Sequence, residues 1–219
     1  MFPAYVTLAL LAAPVVSGSS ATDTREAVNA EHSKPVVRGG LVYKSYCVPC
    51  HGETGNGVSL ASPLYSTLNL TIKPAASARH EQIVRNGGKA LGRSAYMPAW
   101  QDELSEEQIT DVVEYVGVLG SAEGRGQVVF KTNCILCHGV NGDGNGRAAR
   151  LLNPPPANLT RSDKNDVYKE MIITMGGAAM GRSPRMPVWG QQLSRQEITD
   201  VVAFLRTILV VPPAATWGF

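Results

Sequence analysis

Cys47-Val48-Pro49-Cys50-His51 and Cys134-Ile135-Leu136-Cys137-His138 repeat one spacing twice in a chain of 219 residues. On a helical turn, thiols three residues apart share one face and can reach the two vinyl groups of a porphyrin. The imidazole that follows then points at the central iron. The pattern is the attachment signature of a c-type haem. It predicts two haem c with iron, bound covalently through Cys47, Cys50, Cys134 and Cys137, with His51 and His138 as iron ligands. All four cysteines of the chain are consumed, leaving none for disulfides. Two other uses of C-x-x-C fit less well. A thioredoxin-like pair needs a strand-loop-helix setting that the flanking sequence lacks. A zinc site needs four soft ligands, and each copy offers two Cys and a His.

The second axial ligand follows from spacing and softness. Met97-Pro98 and Met186-Pro187 stand 46 and 48 residues after their histidines, each in a Gly/Ser loop with a Trp three residues on, Trp100 or Trp189. A thioether is a soft, weak ligand that favours ferrous iron, so His/Met ligation raises the reduction potential. The competing role is core filling; Met171, Met175 and Met180 are expected as core or surface residues of the second unit. His80 stands where the second copy has Lys169, which argues against a ligand, and His32 and His80 are expected as solvated surface residues. Pro154-Pro155-Pro156 is expected to offer a carbonyl to the Nδ1 of His138. The first copy has Tyr65-Ser66-Thr67 there, so its pocket differs. Trp100 and Trp189 either donate to a haem propionate or simply pack.

These residues need elements to hold them, and the chain supplies the same set twice. Arg38-Gly39-Gly40 through Lys44 matches Arg125-Gly126-Gln127 through Lys131 at an offset of 87. A two-residue insertion then changes the offset to 89. On it, Gly55-Asn56-Gly57 pairs with Gly144-Asn145-Gly146, and Asn69-Leu70-Thr71 with Asn158-Leu159-Thr160. Ile109-Thr110-Asp111-Val112-Val113 likewise pairs with the run from Ile198 to Val202. Each unit is small enough that a covalent haem acts as its staple. In the first unit the spacing predicts a helix over 36–47, and a middle helix through Gln82, Ile83 and Val84 that stops at Asn86-Gly87-Gly88. The final helix is capped by Ser105 with Gln108. Ile109, Val112, Val113 and Val116 form its apolar stripe. The second unit repeats this with Ser194 to Glu197 and Ile198, Val201, Val202 and Leu205. Gly39 with Tyr43, and Gly126 with Phe130, are expected to let the first helix cross the last against Tyr115 and Phe204. No strand pattern competes, and the units meet at a Gly/Ser linker near Gly120 to Gly124.

The bulk numbers are those of an ordinary globular chain, 44% hydrophobic and 17% charged. A net charge of +2 without a single-sign run is not a nucleic-acid footprint. Residues Ala4 to Val16 form an apolar core of 13 residues followed by small residues, with no Lys or Arg before it. That is too short to span a bilayer and reads as a signal peptide cut after Gly18 or Ala21. The mature chain is therefore expected to be exported, periplasmic, and without a transmembrane anchor.

The aromatic helix before C-x-x-C-H-G, the Gly-Asn-Gly loop, Asn-Leu-Thr, Met-Pro-x-Trp and the final amphipathic helix resemble class I cytochrome c. Such domains occur in di-haem periplasmic cytochromes and in haem-bearing subunits of bacterial terminal oxidases. The resemblance covers about residues 36–210 and departs from the pattern at the absent prolines of 65–67. It implies an all-α fold of two tandem domains around one haem each, with signal peptide 1–21, domains 34–120 and 121–211, and tail 212–219. It implies single-electron transfer between redox proteins: a donor dehydrogenase or quinol-oxidising complex, and an acceptor oxidase or reductase. Lys89, Arg93, Arg182 and Arg185 flank the Met loops as a candidate docking rim. Two alternatives stay open. One is a di-haem enzyme, which would need an open iron position. The other is a cytochrome subunit of a larger dehydrogenase or reductase, with the apolar run Leu209 to Phe219 packing on a partner.

Overall fold

The computed structural model describes residues 21–61, 63–64, 68–71 and 77–210. The expected signal segment up to residue 20, Tyr65-Ser66-Thr67 and the tail 212–219 lie outside the described residues. Among those described, all regular structure is helical. In the first unit, α2 (Pro35–Val42) runs through a π-turn (Tyr43–Cys47) into the single turn α3 (Val48–His51), followed by α4 (Ser77–Ala90) and α5 (Glu106–Val116). The second unit repeats this as α6 (Ala122–Asn133), α7 (Ile135–His138), α8 (Asp166–Ala179) and α9 (Arg195–Thr207). Ahead of both lies α1 (Ala21–His32).

The last helices start where expected. Ser105 accepts from the Gln108 amide while the Gln108 side chain accepts from the Ser105 amide, and Ser194 with Glu197 does the same. These reciprocal bonds satisfy amides that the helix leaves unpaired. Ile109 and Val112 are buried in the first core and Val113 is buried beside them, while Ile198, Val201, Val202 and Leu205 are buried in the second. Each such side chain removed from water contributes about 1.5–3 kcal/mol.

The first and last helices of each unit cross at glycine, as expected. A Cβ on Gly39 would sit 1.9 Å from the Asp111 carbonyl oxygen, and one on Gly126 1.9 Å from that of Asp200. Only a residue without a side chain allows this approach. One turn on, the Tyr43 and Tyr115 rings lie 5.3 Å apart, as do those of Phe130 and Phe204. The crossing also holds a pair that sequence reasoning missed. Arg38 grips Asp111 through Nε (2.6 Å) and Nη2 (2.8 Å), and Arg125 grips Asp200 at 2.7 Å through both nitrogens. The signal was present: a repeated Arg, and a repeated Asp inside an apolar stripe.

The middle helices stop at the Gly-Gly pair as expected: Gly87 (φ 76°) and Gly176 (φ 77°) leave helical geometry, and a separate turn follows each. Two local features differ from expectation. The Gly120 to Gly124 segment, expected as a short Gly/Ser linker, already holds the start of α6: Ser121 caps the helix by accepting from the Gly124 amide, and Leu119 before it is wholly buried. Finally, α1 was not foreseen. Its Val28, 5% exposed, enters the core of the second unit. Glu31 beside it pairs with Lys34 at 2.9 Å and Lys131 at 3.4 Å.

Candidate functional site

Cys47 and Cys134 stand at the N-termini of the single turns α3 and α7, so each C-x-x-C-H forms one helical turn. In the second unit the Cys134 carbonyl accepts from the Cys137 amide at 3.2 Å and the His138 amide at 2.9 Å, which puts both thiols and the imidazole on one turn. All four thiols are unpaired. Burial pushes Cys47 and Cys134 up to about 12 and raises Cys137 as well. Burial of this kind does not give the lowered value of a reactive redox thiol.

Burial also lowers both imidazoles below the ordinary histidine value, opposed in part by backbone acceptors at Leu68 for His51 and Ala157 for His138. The neutral ring that results is the form that binds metal. The second-unit ring is oriented by a bond: His138 Nδ1 lies 3.1 Å from the Ala157 carbonyl oxygen. The expected acceptor was one of Pro154 to Pro156, and the residue used is the next one along. At the matching position His51 Nδ1 is buried and makes no hydrogen bond of ordinary geometry.

After each His the chain turns on a glycine and folds back. Gly57 donates to the His51 carbonyl (3.1 Å) and Gly144 to that of His138 (2.9 Å). Asn56 Oδ1 accepts from the Val58 amide and Asp143 Oδ1 from the Asn145 amide. By these bonds Gly55-Asn56-Gly57 corresponds to Gly142-Asp143-Gly144, not to Gly144-Asn145-Gly146. The two extra residues enter later in the loop. Matching letters misled because Asp closes such a turn as well as Asn does.

The two Met loops are pinned alike. The Gly88 amide donates to the Met97 carbonyl at 2.9 Å, and the Gly177 amide to that of Met186 at 3.0 Å. A Cβ on Gly88 would lie 2.1 Å from the Ser94 oxygen, and one on Gly177 2.0 Å from the Ser183 oxygen. The Gly-Gly pair after the middle helix therefore lets the loop carrying Met lie against it. Met186, Cys134, Leu159 and Trp189 all pack on the second core, while Cys47, Val48, Val84, Leu70 and Trp100 pack on the first. Met97 is half-buried and is not grouped with that core. Trp100 meets Tyr46 edge-on at 5.4 Å, which favours the packing role for this ring.

Other expectations divide. Met171 and Met175 are exposed, as is His32. His80 is not a solvated residue: it is partly buried, its Nδ1 is enclosed without a hydrogen bond, and burial lowers its pKa. Its counterpart Lys169 is buried too. The cause is the inward face of the middle helix, where His80 precedes Val84 by one turn. Lys89, Arg93, Arg182 and Arg185 are exposed around the Met loops.

A covalent haem fits what each unit provides: two unpaired thiols on one turn, an adjacent imidazole, and an apolar wall that includes a cysteine. Family comparison agrees. Residues 124–209 match the family model of cytochrome c, and residues 35–116 that of cytochrome c oxidase, cbb3-type, subunit III. The two units are thus cytochrome c domains. The chain belongs to the di-haem cytochromes c, carries two covalent haem c with iron, and acts in electron transfer. It is 28% identical over 182 residues to the cbb3-type cytochrome c oxidase subunit FixP of Azorhizobium caulinodans, covering 78% of this chain and 58% of that protein. It is 25% identical to FixP of Bradyrhizobium diazoefficiens over 78% of this chain and 60% of that protein. It is 26% identical to the cytochrome bc1 complex cytochrome c subunit of Mycobacterium leprae over 92% and 73% respectively. The chain spans about six-tenths of the length of the FixP relatives. No described helix is long and apolar enough to cross a membrane.

Proposed function

We propose that this chain is an exported, periplasmic carrier that passes single electrons between redox proteins through two His/Met-ligated haems. His51 and Met97 hold one iron, His138 and Met186 the other, and Cys47, Cys50, Cys134 and Cys137 form the thioethers. The observation that carries this reading is the duplicated anchoring of the Met loops: Met97 and Met186 have the same backbone bond to the same glycine pair. Bound haem supplies a reversible ferric–ferrous change. The chain's own residues present neutral imidazoles, hold the Met loops in place and exclude water with apolar walls. Held by His51 and Met97, and by His138 and Met186, neither iron would be open to a substrate, as a carrier rather than an enzyme requires.

The relatives named as oxidase and bc1 subunits support a second reading of the same sites. In it, the chain is the electron-transfer subunit of a larger complex, with a dehydrogenase or quinol-oxidising donor and an oxidase or reductase acceptor. The test of ligation is the weak iron–methionine absorption band at the red edge of the visible spectrum. It should integrate to two per protein, and Met97→Ala and Met186→Ala should each remove one. High-spin iron, or a single such band in the unmodified protein, overturns the carrier in favour of a di-haem enzyme. Native purification distinguishes the free carrier from the subunit, which would elute with its partners at fixed stoichiometry.

A further inference from the structure

Several of the differences between the two copies meet across one groove. This groove of about 470 Å³ runs between the domains. One wall carries Lys44, Val48 and Glu53, so it includes a residue inside the first C-x-x-C-H; the other carries Thr132 and Asn133, which lead directly into Cys134, and Glu197. The groove therefore runs beside the first attachment turn and the chain segment that leads into the second.

Directed contacts span it. Lys44 Nζ donates to Glu197 Oε1 at 2.6 Å, and Ser194 Oγ donates to Glu53 Oε2 at 2.7 Å. The counterparts of these residues do something else. Lys131 turns inward and donates to the Val140 carbonyl at 2.7 Å, while Glu53 and Glu197 are replaced by Val140 and Gln108. Val128 of α6 is 6% exposed and packs in the core of the first domain, whereas its counterpart Leu41 is 53% exposed. Arg125, which also lines the groove, donates through Nη1 to the carbonyl of Leu119 at the end of the first domain. An exposed ion pair alone contributes little to stability. Acting with a buried Val and a buried Arg, it selects one orientation.

We propose that this groove is the path by which electrons pass between the two haems, and that the Lys44–Glu197 and Glu53–Ser194 contacts set the separation across it. The inference rests on the two-haem reading above. Tunnelling rates fall exponentially with distance, so a small opening of the groove slows exchange sharply.

The test uses the full-length holo-protein. Lys44→Glu sets a third carboxylate beside Glu53 and Glu197. Glu197→Gln removes one charge yet keeps the helix cap, as Gln108 does in the first domain. Three quantities are read: the visible spectrum, the electron exchange rate between haems after photoreduction, and the iron–iron distance from magnetic dipolar coupling. Lys44→Glu is expected to leave the spectrum unchanged, lengthen the distance and slow exchange several-fold. Adding Glu197→Gln should recover part of both. Unchanged distance and rate in Lys44→Glu overturns the proposal, and so does a longer distance with an unchanged rate. Loss of the iron–methionine bands in the unmodified protein instead overturns the ligation reading, so the two failures are told apart by spectrum.

Discussion

His51 and His138 occupy equivalent turns in unequal settings. An acceptor on Nδ1 makes imidazole a stronger donor to iron and favours the ferric state. His138 has such a bond, at 3.1 Å to Ala157, whereas the Leu68 backbone that faces His51 lies outside hydrogen-bond geometry. The haem of the second domain is therefore expected to have its potential lowered by this contact relative to the first. Potentiometric titration of the holo-protein checks it, with each wave assigned through the Met97→Ala and Met186→Ala variants. Two waves of equal potential, or the lower one in the first domain, would remove this contact as the dominant cause. The sequence had marked the asymmetry through Pro154 to Pro156, yet which carbonyl reaches the ring depends on the path of a loop, and the answer fell one residue further on.

At the scale of the element, the glycine pairs and the helix crossings hold the sites. Gly177→Ala puts a Cβ 2.0 Å from the Ser183 oxygen and 3.0 Å from the Met186 Cβ. It is expected to displace the Met loop, removing one iron–methionine band while the haem stays covalently attached; an intact band would show that the loop tolerates the shift. The crossing is tested by Asp200→Ala, which strands the buried Arg125. Breaking such a pair costs about 3–5 kcal/mol, read as a lower denaturant midpoint of the second domain. Asp111→Ala should cost less, because the Arg38 side chain is 33% exposed and water can take over its charge. Capping boxes and apolar stripes were legible because they are local and periodic. The Arg–Asp pairs were not, since their members lie 73 and 75 residues apart.

At the scale of the molecule, α1 is bound to the second domain through Val28 and Glu31. Burial acts to raise the Glu31 pKa, but Lys34 and Lys131 outweigh it and the net shift is downward. A depressed carboxylate favours folding above the ordinary carboxylate value and loses that contribution as pH falls through its own lowered value. Acidification through that range should therefore release α1, measured as lower amide protection relative to the intrinsic exchange rate over residues 26–32. Glu31→Gln should abolish the pH dependence of that protection, and protection independent of pH in the unmodified chain would contradict the coupling.

The two C-x-x-C-H motifs, the duplication, the capped final helices and the candidate Met loops were readable from the chain alone, because each is a short-range pattern whose chemistry depends on spacing along the backbone. Tertiary structure decided the rest. It set which carbonyl orients His138, where the loop insertion enters, that His80 lies partly enclosed, and that Val28 and Val128 each serve a core other than that of their own sequence neighbourhood. Those outcomes depend on which surfaces meet after folding, and contact across two domains leaves no periodic trace in either one.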